Sequence, residues 1–239
     1  TSLYAILKSL DLQKGSEILM TPFNISPMID VIKNLGLKPT FVDINHEDFG
    51  PDFSSLELML SKRPACFFVT YLFGYVPDLD YIIQLCNKYE VILIEDISHA
   101  VGAKYKNRYL GTFGYASIYS SSLTKYIDSF CGSFVLTKNE ILAIKLKDFY
   151  KKLSKPSSLR IRKTIFKTLL WNIALSNLGF NLIIYPNLFL LNIFKPQILK
   201  KILNPVPFKS KKNELMKFYF EKITNIQCKY MVYYLHKLE

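Results

Sequence analysis

The sequence predicts an α/β fold, a mostly parallel sheet covered by helices. Three observations predict it. Over residues 1–150, short apolar runs alternate with segments of helical spacing. Several of those runs are apolar on both faces, as strands buried on both sides are. The chain has 239 residues, 50% hydrophobic and only 21% charged, enough for a real core and too apolar for intrinsic disorder.

The elements follow in order. Ser2–Leu12 puts Leu3, Ile6, Leu7 and Leu10 on one helical face, and Gly15 ends it. Glu17–Pro22 reads as a strand. Ser26–Leu35 is a helix with Met28, Ile29, Ile32 and Leu35 apolar, stopped by Gly36. Pro39–Ile44 is a strand, Phe53–Leu60 a helix and Ala65–Tyr71 a fully apolar strand. Leu79–Tyr89 is a helix with Ile82, Ile83, Leu85 and Cys86 inward. Val91–Asp96 is a buried strand ending in two acids; Ala116–Ser120 and Ser133–Thr137 are two more strands. Ligands of such sheets sit beyond the carboxyl ends of the strands. That edge holds Tyr71, Glu95, Asp96 and Ser120.

The rest of the chain reads differently. Residues 1–150 hold 14 Lys/Arg and 16 Asp/Glu, a net −2; residues 151–239 hold 17 and 3, a net +14. The basic half suits an anionic partner or a solvated surface. It carries no nucleic-acid recognition motif, so no nucleic-acid partner is expected. Lys151–Lys163 reads as a polar connector. Thr168–Phe194 is 27 residues without a charge, 18 of them hydrophobic and five of them asparagine. Arg160, Arg162, Lys163 and Lys167 precede it, Lys195, Lys200 and Lys201 follow it, and Pro186 interrupts it. On one helix, Thr168, Asn172, Ser176 and Gly179 would form a small polar stripe. Lys209–Lys212 is a basic patch and Glu214–Glu239 a helix-like tail. Cys66 and Cys86 read as core thiols, and none of the four cysteines has a metal or redox spacing. With no leader pattern at the start, a reducing, cytoplasmic setting is expected.

The chemistry lies between the fourth strand and the sixth. Asp96 ends a buried strand, Ser120 ends the next, and Lys125 stands five residues on, in a turn. An amine, a strand-end acid for a protonated ring nitrogen and hydroxyls for a phosphate are what a phosphorylated aldehyde cofactor needs. Each has a plainer reading too, since strand-end acids are common and loop lysines are usually solvated.

The run Ile94–Lys125 resembles the DegT/DnrJ/StrS family of sugar aminotransferases, which depend on pyridoxal 5′-phosphate (PLP). The resemblance rests on Glu95–Asp96, His99, Gly102-Ala103-Lys104-Tyr105, Gly111-Thr112-Phe113-Gly114, Ser120 and Lys125. It extends upstream through residues 15–23, 36–44 and 71–80. It implies an aspartate-aminotransferase-like large domain (PLP fold type I) over 1–150. A helical segment over 151–239 would then lead to a further small domain of roughly 100 residues. It implies that Lys125 bonds the cofactor and shuttles protons, and that Asp96 pairs with the ring nitrogen. His99 would lie beside the ring and Ser120 would bind the phosphate. Thr1 and Ser2 would stand where the family's phosphate-binding helix begins, and Phe23 in the segment that flanks the ring. His99 also reads as a core histidine satisfied by backbone. The sequence departs from the family at Ile25, where an aromatic is usual, and in Tyr126–Cys131, where the family is glycine-rich.

The resemblance further implies a nucleotide-sugar substrate, an amino-acid donor such as glutamate, and a homodimer. Related PLP-dependent sugar dehydratases carry histidine in place of the lysine, which Lys125 speaks against. The start without Met and the uncapped end leave a second expectation, a non-catalytic or split remnant acting as a binding module. For 168–194 three readings stand: a helical hairpin in the membrane interface at the inner face, a packed dimer element, or a buried pair covering the cofactor domain.

Overall fold

The computed structural model describes residues 1–121, 125–203 and 220–238. The chain divides into two compact units, Thr1–Lys155 with Lys212–Glu239, and Pro156–Lys211. The described tail, from Phe220, thus belongs with the first unit.

In the first unit a six-stranded sheet runs in the order β2-β1-β3-β4-β7-β8. Its strands are β1 (Glu17–Met20), β2 (Lys38–Phe41), β3 (Cys66–Thr70), β4 (Ile92–Asp96), β7 (Ala116–Ser120) and β8 (Ser133–Leu136). β5 (Lys104–Tyr105) and β6 (Arg108–Tyr109) form a separate hairpin. All neighbours in the sheet are parallel except β7 and β8. The mostly parallel sheet is as expected.

Side chains alternate across a strand, and each face of this sheet packs its own helices. Leu19, Phe67, Val69 and Leu93 meet α3 (Phe53–Leu60) and α4 (Leu79–Tyr89). Ile18, Met20, Cys66, Phe68 and Ile94 meet α1 (Ser2–Ser9), α2 (Ser26–Asn34) and α5 (Glu140–Lys152). Asp52, Asp78 and Asn139 cap α3, α4 and α5 by accepting backbone N–H bonds. Cys66 and Cys86 are buried core thiols, and burial pushes both up to about 12.

Two readings of the back half need correction. The connector is shorter than Lys151–Lys163, because α5 runs to Lys152 and α6 (Ser158–Ala174), capped by Ser157, takes up Arg160–Lys163. The polar stripe through Thr168 and Gly179 does not form, because the helix turns at Leu175. Ser176 then caps α7 (Asn177–Gly179), a π-helical stretch Phe180–Ile184 follows, and α8 (Tyr185–Phe194) and α9 (Pro196–Leu203) come after it. The Lys209–Lys212 patch lies outside the described residues.

The tail forms α10 (Asn225–His236) with a capping box between Thr224 and Gln227. It closes on the loop that follows Lys125. Phe130 and Cys131 adopt φ of 58° and 70°, left-handed values that cost non-glycine residues about 1–2 kcal/mol each. The resemblance expects glycines there. The strain is held by a clamp: Gln227 Nε2 donates to the Phe130 carbonyl at 2.8 Å, and the Phe130 ring meets Tyr230 edge-on at 4.9 Å. Gly132 sits so close that a Cβ there would lie 2.2 Å from Met231 Cε. Gln227→Ala removes both the reciprocal cap and the clamp. It is expected to cost about 1–3 kcal/mol, visible as a lower urea midpoint.

Candidate active site

The carboxyl ends of β1, β3, β4 and β7 open onto a cavity of about 720 Å³. Asp96, His99, Ser120, Lys125 and Phe23 all line it. Five of the seven residues expected at the site therefore share one space.

Asp96 is 4% exposed. Its Oδ1 accepts the Ser98 N–H at 2.9 Å, and Ser98 Oγ accepts the Ser120 N–H at 3.0 Å. This relay ties the end of β4 to the end of β7. Burial pushes the Asp96 carboxyl above the usual range, against the opposing pull of Ser98, Lys125 and His99. Burial pulls the Lys125 amine down, opposed by the charge of Asp96. His99 is lowered by burial and by Lys125, again opposed by Asp96. Its Nδ1 accepts the Phe73 N–H at 3.3 Å, which places the proton of the neutral ring on Nε2. Phe73 itself holds φ 53° with its ring exposed.

These residues suit an aldehyde cofactor with a basic ring nitrogen. A buried carboxyl with no salt bridge among the described residues accepts a cation opposite it. An amine with a depressed pKa reaches its neutral, nucleophilic form more readily. Ser120 places a hydroxyl at the rim. Phe23 is half exposed and meets Phe49 edge-on at 6.3 Å; Ile25 lines the cavity with it.

Thr1 and Ser2 do not line the cavity. Ser2 Oγ donates to Ser133 Oγ at 2.8 Å, on the strand position opposite Ser120. Tyr71, expected at the ligand edge, is fully buried behind it, and its hydroxyl donates to Glu95 Oε2 at 2.8 Å. Glu95 also accepts the N–H groups of Gly111, Phe113 and Gly114 at 2.8, 2.8 and 2.7 Å. One acid of the adjacent pair thus organises the turn before β7, and the other faces the cavity.

The sequence reading missed several cavity residues. Asn24 Nδ2 donates to Thr70 Oγ1 at 3.0 Å, and the Thr70 N–H reaches Thr21 Oγ1 at 3.3 Å. Tyr75 donates to Asp48 Oδ2 at 2.5 Å at the mouth. Thr21 and Thr70 lie at or just past strand ends, a signal the ligand-edge rule offers; the Asp48–Pro51 loop offers none.

Known proteins are similar to this chain in sequence and fold. The chain is 29% identical over 141 residues to GDP-perosamine synthase of Escherichia coli O157:H7, covering 59% of this chain and 39% of that one. It is 28% identical over 146 residues to the spore coat polysaccharide biosynthesis protein SpsC of Bacillus subtilis, covering 61% and 38%. The solved aminotransferase from Psychrobacter cryohalolentis superposes with a TM-score of 0.59 at 28% identity, over 66% of this chain and 40% of that one. The E. coli GDP-4-keto-6-deoxy-D-mannose-3-dehydratase, solved with bound hydrated PLP, does so with 0.56 at 26%, over 61% and 39%. The chain thus spans about two-fifths of the length of these relatives. The model of one family matches residues 1–182, from α1 through the sheet and its cavity and beyond. The chain belongs to the DegT/DnrJ/EryC1/StrS aminotransferase family.

Proposed function

We propose that this chain forms the cofactor site of a PLP-dependent aminotransferase acting on a keto-sugar carried by a nucleotide, with glutamate as amino donor. Its product would feed surface polysaccharide. The observation that carries the reading is the meeting of Lys125, Asp96, His99 and Ser120 in one cavity at the carboxyl edge of the sheet. Sugar-linked relatives support it.

PLP supplies an electron sink that lets a C–H bond of an amino acid ionise. Lys125 Nζ would hold the cofactor through its aldehyde carbon and would carry a proton between substrate atoms as base and then acid. Asp96 keeps the ring nitrogen protonated. His99 keeps Nε2–H as its donor because Nδ1 is engaged by Phe73. Ser120 binds the phosphate. Exposed Phe23, Ile25, Phe49 and Phe73 rim the cavity, an apolar border that a second copy would cover in a homodimer.

A second reading is a PLP-dependent sugar dehydratase, favoured by the likeness to such an enzyme. Lys125 favours transfer, since the dehydratase pattern has histidine there. The test is direct. Protein mixed with PLP should gain a visible absorbance band that borohydride abolishes, leaving one labelled peptide, that of Lys125. The Lys125→Ala variant should lose the label with an unchanged far-UV spectrum. A label on Lys104 or Lys138, or none, overturns the assignment.

A further inference from the structure

The unit Pro156–Lys211 holds nine Lys/Arg and no Asp/Glu, a net +9. Taken by itself it joins an apolar surface to a basic fence. At its corner Ser176 Oγ accepts the Gly179 N–H at 3.1 Å, and a Cβ on Gly179 would stand 2.0 Å from the Ile173 carbonyl oxygen. The turn is therefore tight. Beyond it Asn177–Phe194 is one helical run of 18 residues, long and apolar enough to cross a membrane.

Its large side chains face outward. Leu170, Trp171 and Ile173 before the corner, and Leu178, Leu182 and Phe194 after it, are all exposed. Water rarely meets so many large apolar side chains on one short stretch of chain. The flanks choose among occupants. Arg160, Arg162, Lys163 and Lys167 precede the apolar stretch and Lys195 and Lys200 follow it, so both sides carry the same sign. A spanning helix would place one basic fence on each side of the bilayer and gain from only one anionic surface. A helix lying in one leaflet brings both fences to the same headgroups. Pro186 and the asparagines along the run suit that in-plane position.

We propose that the surface from Leu169 to Phe194 docks in the plane of one leaflet of an anionic bilayer, with the basic flanks on its headgroups. Trp171 lies in this surface and is the only tryptophan of the chain, so the protein carries its own reporter.

The experiment mixes the whole chain with vesicles of phosphatidylcholine alone, or of equal parts phosphatidylcholine and phosphatidylglycerol. Docking predicts co-sedimentation with the anionic vesicles, a blue shift of Trp171 emission, and quenching by lipids brominated near the headgroup end. High salt should weaken binding by on the order of tenfold or more. The double variant Lys163→Glu, Lys167→Glu should do the same with an unchanged far-UV spectrum. Salt-insensitive binding to both vesicle types overturns the proposal in favour of a spanning helix. Blue-shifted emission without lipid, from a chain that sediments as a dimer and ignores vesicles, overturns it in favour of a second copy. Unshifted emission with no binding overturns it outright. The wild-type comparison of lipids and salts decides even where a variant fails to fold.

Discussion

Replacing Glu95 with alanine is expected to leave the first unit unfolded or close to it at room temperature. Glu95 is fully buried, and four donors converge on it: the Tyr71 hydroxyl and the N–H groups of Gly111, Phe113 and Gly114. All four groups are donors, which the two oxygens of the carboxyl group satisfy as acceptors. Removing the carboxylate strands buried donors at about 1–3 kcal/mol each. The total rivals the roughly 5–15 kcal/mol stability of an ordinary domain. The turn packs closely on β4, with no room for a side chain at Gly114, where a Cβ would stand 2.6 Å from the Leu93 carbonyl oxygen. Glu95→Gln keeps the volume but turns one acceptor into a donor facing N–H groups, so an intermediate loss is expected. Tyr71→Phe removes one bond and should cost least. Urea midpoints in the order Tyr71→Phe, Glu95→Gln, Glu95→Ala would bear this out. A Glu95→Ala chain with a near wild-type midpoint would sink the argument.

Asp96→Asn is expected to retain PLP and to lower turnover by on the order of a hundredfold or more, the scale on which one preorganised electrostatic partner acts. An amide cannot hold a ring nitrogen protonated. The same residue predicts a pH dependence without cofactor. Burial raises the native carboxyl above its ordinary value of 3.8. The folded chain therefore binds this proton at pH values where the unfolded chain has lost it. Unfolding then releases a proton, so stability falls as pH rises from about 3.8 through the native value. The Asn variant, with no proton to release, should show a shallower fall of melting temperature over that window. A bound cation opposite Asp96 should flatten the wild-type curve likewise. Equal slopes for both chains would refute the raised carboxyl, and near wild-type turnover of the variant would place the ring nitrogen elsewhere.

Much of this was legible in the sequence because its physics is local. Alternation and helical spacing depend on neighbours a few residues away, and Phe53–Leu60, Leu79–Tyr89 and Ala116–Ser120 appear with the bounds read from the pattern. The ligand-edge rule marked Asp96 and Ser120 in advance, and the family resemblance added Lys125. The rule overreached at Tyr71, because it marks where a strand ends and not which way the last side chain turns.

What the sequence by itself determined is the strands of the main sheet and the helices between them, the mostly parallel sheet and the chemical types waiting at its edge. What the tertiary structure alone decided is how chemically similar residues divide their work. Glu95 and Asp96 are adjacent acids, yet strand alternation sends one among buried backbone donors and the other to the cavity. Ser2 meets Ser133 across 131 residues, and Gln227 holds the Phe130 carbonyl across 97. Each depends on groups distant in the chain, and a local pattern carries no record of which distant group fills the remaining valence of a buried donor.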